Sequence, residues 1–458
     1  MNAILHKTIR LGALFALLAA LLAFGVRAAA AQTLPAPQRL SLGDAARLAA
    51  RQSAGVESAL ERVKQASARV QQRRADLLPN LSAGAAATQH TLNSATFGFN
   101  FPAEPGQPPL LDPNGQIIGP VKLLDVRGHA SQSVFDYGAV QRVRAARGGV
   151  DVASADVNAA AEQAATAAAV AYLRVLRADA QLQARIADSS LASELVGIAH
   201  DQFEAGVGVA LDVTRAEAQR AGARAQLIAA RNDRNRARLD LVRTTNLPVD
   251  TPIETTDSLT TLPGAETVDE AAAVERALAS RPDIRVADEQ VRLAALQASV
   301  IRAERLPTVG VFGEDGLIGK GPDHLLGTYQ MGVQVSLPVF DGSRREARGQ
   351  EQAAVVRDAE IHRRDLKQQV TVDVREAVLE LASAREQVDA ARERLRLAEQ
   401  ELAQARDRFR AGVAGDADVI TASISLNGAR NLLIDAMTAY QSGRVALARA
   451  EGTVTQLR

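Results

Sequence analysis

Apolar side chains recur along this chain with two different periods, and the places where the period changes outline its architecture. From Leu42 to Leu78 they fall every three to four residues, with Val56, Leu60, Val63 and Val70 set among alanines, and the pattern stops at Leu78-Pro79. A matching stretch runs from Val268 to Leu306 and stops at Leu306-Pro307. Proline drives the residue before it out of helical geometry, so both helices are expected to hand over to extended chain there. Past each proline the period falls to two. Leu81, Ala83, Ala85 and Ala87 alternate with small or polar residues, and Val309 and Val311 begin a similar run.

A second alternating stretch precedes the next helix in each half. Leu124, Val126, Gly128, Ala130, Gln132 and Val134 share one face, with Asp125, Arg127, His129, Ser131 and Ser133 on the other. Later, Met331, Val333, Val335 and Leu337 oppose Gln330, Gly332, Gln334 and Ser336. The expected strand pairs are therefore about 80–91 with 122–135, and about 307–316 with 328–339. Beyond Phe135-Asp136-Tyr137-Gly138, helical spacing persists to Ala205, which as one helix would measure roughly 100 Å. Beyond Phe340-Asp341-Gly342-Ser343 a second long helix carries Leu381, Ala384, Val388, Ala391, Leu395, Ala398, Leu402, Ala405 and Phe409, the seam of a left-handed coiled coil.

These halves are one unit written twice. Phe203-Glu204-Ala205-Gly206 leads to Asp212-Val213, and Phe409-Arg410-Ala411-Gly412 leads to Asp418-Val419 at a constant offset of 206 residues. Each copy places glycine after one helix and aspartate before the next, so 203–213 and 409–419 are predicted to be helical hairpin tips, with the aspartates as N-caps. The return helices are expected from Asp212 to about Thr245 and from Asp418 to about Glu451. The predicted organisation is a first repeat over 32–250, a Thr/Pro-rich linker over 246–266 and a second repeat over 267–458. The fold class is mainly α with a β portion, built on a duplicated unit.

Composition narrows what such a body can do. Basic and acidic side chains balance at 53 each, so no strongly basic nucleic-acid surface is implied. Aromatics are 3% and tryptophan is absent, which suits long helices packed through small residues. Without cysteine there is no disulfide, no thiolate metal site and no lipidated N-terminal cysteine. Lys7 and Arg10 precede an apolar run from Leu11 to Phe24 and then Ala29-Ala30-Ala31, the layout of a cleavable secretory signal over 1–31. Gly206-x-Gly208 lacks the third glycine of a dinucleotide loop because Leu211 stands there, and no Walker-type loop or nucleophile elbow is found. The histidines at 90, 129, 200, 324 and 362 have no ligand spacing. The expectation is a non-enzyme with no cofactor and no metal.

An exported chain with alternating strands suggests an outer-membrane barrel, yet the smallest such barrel needs about eight strands and this chain offers four. Open strand edges in hydrocarbon are prohibitive, so two chains would supply eight strands or three would supply twelve. The other reading is an ordinary soluble sheet on a secreted coiled-coil scaffold or adhesion protein. Taken together, the duplicated helix, Leu-Pro stop, strand pair, Phe-Asp approach and tip reading Phe-x-x-Gly-x-x-x-x-x-Asp-Val resemble the TolC-type outer-membrane efflux proteins. Arg281-Pro282-Asp283-Ile284 and Arg305-Leu306-Pro307-Thr308 add to the likeness, which covers roughly residues 40 to 452.

That resemblance implies a homotrimer in which four transmembrane strands per chain close a twelve-stranded barrel in outer-membrane lipid, continuous with a periplasmic helical tunnel. It also implies service as the passive exit duct of a tripartite efflux or type I secretion system, meeting a periplasmic adaptor protein and an inner-membrane pump. By the same resemblance, Gly206, Val207, Gly208, Gly412, Val413 and Gly415 face the adaptor, and Asp418, with Asp416 and Asp212, is a candidate pore gate. A ring of Asp418 would attract cations; alternatively it caps its helix, as Asp212 would. Thr421 and Ala414 stand where some relatives carry an acidic and a basic gate residue, so an electrostatic latch would differ here or be absent.

Overall fold

The computed structural model describes residues 38–97, 115–259, 268–411, 413 and 415–457. The expected signal segment, most of the glycine- and proline-rich loop before residue 120, the end of the linker, Gly412 and Ala414 lie outside the described residues.

Each stretch expected as one short-repeat helix is two. In the first half α1 (Leu42–Gln52) and α2 (Ala54–Ala75) meet at Ser53, whose extended backbone (φ −65°, ψ 148°) ends one helix and caps the next. In the second half α5 (Glu270–Ser280) and α6 (Pro282–Ala303) meet at Arg281. Pro282 causes that break, because it disfavours helical geometry at Arg281 (ψ 126°) and is itself well placed at the first position of α6. The strands begin directly after Pro79 and Pro307, as β2 (Asn80–Asn93) and β5 (Thr308–Gly319). Their partners are β3 (Ile117–Phe135), which starts five residues earlier than expected, and β6 (Leu325–Ser336), which starts and ends three residues earlier.

The four strands form one antiparallel sheet in the order β2-β3-β5-β6. Register preserves the alternation across it. Leu81 faces Ala130, Val126 faces Leu317 and Val311 faces Val333 in one set of rows, whereas Ser82 faces His129, His129 faces Glu314 and Glu314 faces Gln330 in the other. The apolar rows stay open: Leu81, Tyr329, Met331, Val333 and Val335 are all exposed. A soluble sheet would bury one face; this one buries neither, and β2 and β6 leave two unpaired edges.

Below the sheet run α3 (Tyr137–Glu204, 68 residues) with its return α4 (Ala210–Thr244), and α7 (Arg344–Arg410, 67 residues) with its return α8 (Asp416–Glu451). At 1.5 Å per residue the two outgoing helices each reach about 100 Å. Asp136 caps α3 by accepting from the Ala139 amide at 2.8 Å. The α7 seam is the predicted one: Ala384, Val388, Ala391, Ala398, Leu402 and Phe409 are buried, the lower part against Val419, Ala422, Leu426 and Ala429 of α8 and Leu195 of α3. The main core sits at the waist around fully buried Tyr172, with Leu40, Leu241, Met437 and Val445. Tyr172 donates its hydroxyl to Leu40 O at 2.9 Å and so fastens β1 (Gln38–Leu40), which pairs in parallel with β4 (Ile253–Thr255). Three-residue strands are too short for alternation to reveal, and neither was expected.

Candidate functional site at the hairpin tips

The first tip is built by one glycine. Gly206 adopts φ +77°, the left-handed turn that L side chains resist, and the backbone closes with Gly206 N–H donating to Phe203 O and Val207 N–H donating to Gln202 O, both at 3.0 Å. Gly208 is favoured for another reason: a Cβ there would sit a tight 3.1 Å from Gln202 Cβ and from the Phe203 nitrogen. The second tip repeats the longer bond, from Val413 N–H to Arg408 O at 3.1 Å. Gly415 sits at φ −80° with open space around it, so neither requirement applies to it. Val207, Val209, Leu211 and Val413 all project into solvent, an apolar patch at the ends of both hairpins.

The expected caps are corrected by the structure. Val209 and Gly415 occupy the N-cap positions without side-chain bonds, and Asp212 and Asp418 lie inside the first helical turn, at its third residue. Extended backbone at Val209 (ψ 150°) and Gly415 (ψ 169°) starts each helix early, and the carboxylates then favour it through the exposed amides and dipole of that turn.

Asp416 and Asp212 are brought together across the two hairpins by Arg215, three residues along α4 from Asp212. Arg215 Nη1 lies 3.5 Å from Asp416 Oδ1 and 3.8 Å from Asp212 Oδ1. The Asp416 side chain is only 7% exposed, and its Oδ2 is buried without a partner among the described residues. Burial, and then the neighbouring Asp212, push the Asp416 carboxyl above the usual carboxylate range, against the pull of Arg215. Asp418 stands apart from this cluster and is exposed. Thr421 turns its hydroxyl back to Ala417 O at 2.8 Å and offers no charge.

Two further ties join the hairpins. Gln202 Nε2 donates to Phe409 O at 2.8 Å, and Glu194 of α3 accepts from both Arg406 and Arg410 of α7, the latter at 2.7 Å. Higher up, Asp188 takes Asn427 Nδ2 at 2.9 Å and Arg430 Nη1 at 3.0 Å, while Arg185 reaches Asn427 Oδ1 at 2.6 Å. Sequence reasoning missed these partners. A signal was present for the last group, because Asn427 and Asn431, which accepts from Arg185 at 3.3 Å, are spaced one turn apart on α8. Among the described residues no group of three or more His, Asp or Glu side chains is placed to hold a metal ion.

Solved structures with this architecture include outer membrane channels. The chain is 26% identical over 294 residues to the outer membrane efflux protein BepC of Brucella suis biovar 1 (strain 1330), the match spanning 63% of this chain and 63% of that relative. Its fold matches the crystal structure of the Campylobacter jejuni CmeC outer membrane channel with a TM-score of 0.71 at 17% identity, over 90% of this chain and 85% of that one. It matches the outer membrane protein VceC of Vibrio cholerae with a TM-score of 0.68 at 20% identity, over 90% and 96%. The model of the family "Outer membrane efflux protein" matches residues 45–247 and 273–453, nearly all of both repeats, and the chain belongs to that family.

Proposed function

We propose that three copies of this chain, exported by the 1–31 signal, close one twelve-stranded barrel in the outer membrane and continue it as a helical tunnel in the periplasm, forming a passive exit duct. The observation that carries this reading is the sheet: four strands, two open edges and an uncovered apolar face, continuous with helices about 100 Å long. A second chain would satisfy β6 with its β2, and the apolar rows would meet lipid while the polar rows line water.

Membership of the efflux family supports the assignment, and the duct carries no catalytic chemistry of its own. The apolar hairpin ends then meet a periplasmic adaptor protein and, through it, an inner-membrane pump. The cross-hairpin ties hold the entrance narrow until that engagement. Asp418 faces the conduit as a ring that attracts cations. Conductance of the purified protein in planar bilayers, with heat-sensitive oligomer migration on gels, tests the reading. A monomer that never conducts would refute it.

A further inference from the structure

The polar face of the sheet carries a bonded network far from the tips. Arg127 Nη2 lies 2.7 Å from Asp125 Oδ2 and Nε 2.9 Å from Asp125 Oδ1, while Nη1 lies 3.1 Å from Glu314 Oε2 on the next strand. His129 Nδ1 sits 3.1 Å from Glu314 Oε1, as the register of β3 against β5 requires. The other Asp, Glu, Lys or Arg residues within the four strands, Lys122 and Asp315, fall in the apolar rows. With the imidazoles of His129 and of His90, which shares that face, neutral, the polar face therefore carries one net negative charge per chain.

Glycine lets the strands approach closely beside this network: a Cβ at Gly316 would meet Arg127 Cβ and, at 2.5 Å, Val126 O of β3. Phe312 lies over Gly332, whose Cβ would be 3.0 Å from its ring. Arg127, held by Asp125 and Glu314, likewise lies along the sheet, and the charges stay partly exposed on its polar face.

We propose that Asp125, Arg127, His129 and Glu314 form the ion-selecting ring of the barrel lumen, separate from the hairpin tips and favouring small cations over anions. The inference rests on the trimeric-barrel reading. Twelve tilted strands about 4.8 Å apart give a wall roughly 12 Å from the axis, so three net charges lie within the roughly 30 Å Debye length of about 10 mM salt. Unscreened, they enrich a monovalent cation on the axis about sixfold.

The test is the reversal potential of purified protein in planar bilayers across a dilute potassium chloride gradient at mildly alkaline pH. Glu314→Gln removes the net charge and is expected to lower the potassium-to-chloride permeability ratio several-fold; Arg127→Gln doubles the charge and is expected to raise it. Asp125→Asn makes the same charge change as Glu314→Gln from the neighbouring strand and replaces it if that variant fails to assemble. Opposite shifts from assembled variants support the ring, an effect a purely structural role would not give. Conducting variants with unchanged reversal potentials overturn the ring alone, whereas a wild-type protein that never conducts overturns the barrel and the ring together.

Discussion

Replacing Arg215 with glutamine would leave Asp416 and Asp212 side by side between the hairpins with no cation to hold them. At 3.5 Å the pair with Asp416 would be worth about 5 kcal/mol if the surroundings behaved as a medium of dielectric roughly 20. Arg215 is 49% exposed, however, and solvent screening reduces such pairs towards the surface range, so about 1–2 kcal/mol is the reasonable loss. Since about 1.4 kcal/mol is tenfold in an equilibrium, Arg215→Gln should raise the open fraction of the entrance roughly tenfold. The readout is basal conductance in planar bilayers without adaptor or pump. Acid should reverse the effect. Tied tips hold the Asp416 carboxyl above its ordinary range, so they bind its proton more tightly than parted tips. Their advantage is full below the ordinary carboxylate range and is lost as pH rises through the raised value. Conductance of the variant should therefore fall on acidification, more steeply than that of the parent. A variant whose conductance equals the parent's at neutral pH, with no response to acid in either, would refute the reasoning.

Other positions separate local causes. Gly316→Ala should abolish heat-sensitive oligomer migration, because its Cβ would press on the backbone of β3, whereas Gly313→Ala, with open space around it, should leave migration unchanged. Tyr172→Phe removes the hydroxyl that joins Leu40 O to the Asp257 amide and should cost about 1–2 kcal/mol in thermal melts, with faster proteolysis before Leu42. Asp418→Asn should alter cation block of the channel while shifting stability by no more than about 1 kcal/mol, the range of a first-turn carboxylate; a clear drop in melting temperature with unchanged block would make it a helix-stabilising residue instead.

The long elements were legible because their patterns are long. The α7 seam repeats over many turns, and the sheet faces alternate over whole strands, so period alone separated buried from exposed positions in the helix and apolar from polar faces in the sheet. Local chemistry was also readable where one residue decides it, as at Gly206 and at the Leu-Pro stops. The breaks at Ser53 and Arg281 were hidden because the apolar spacing continues across them, although Pro282 stood as an unused warning. Helix starts at the tips were placed two residues late, since aspartate serves equally well before a helix and within its first turn. The clasp was out of reach: Arg215 and Asp416 lie 201 residues apart, and no local pattern links them.

The open edges of β2 and β6 carry a genetic implication. If each copy completes its neighbour, one subunit with a ruined edge spoils the whole assembly it joins. Cells making equal amounts of intact and edge-damaged protein would retain only about one sound complex in eight under random mixing of three. Such alleles would behave as dominant poisons, whereas deletion of the same gene copy would merely halve the number of ducts.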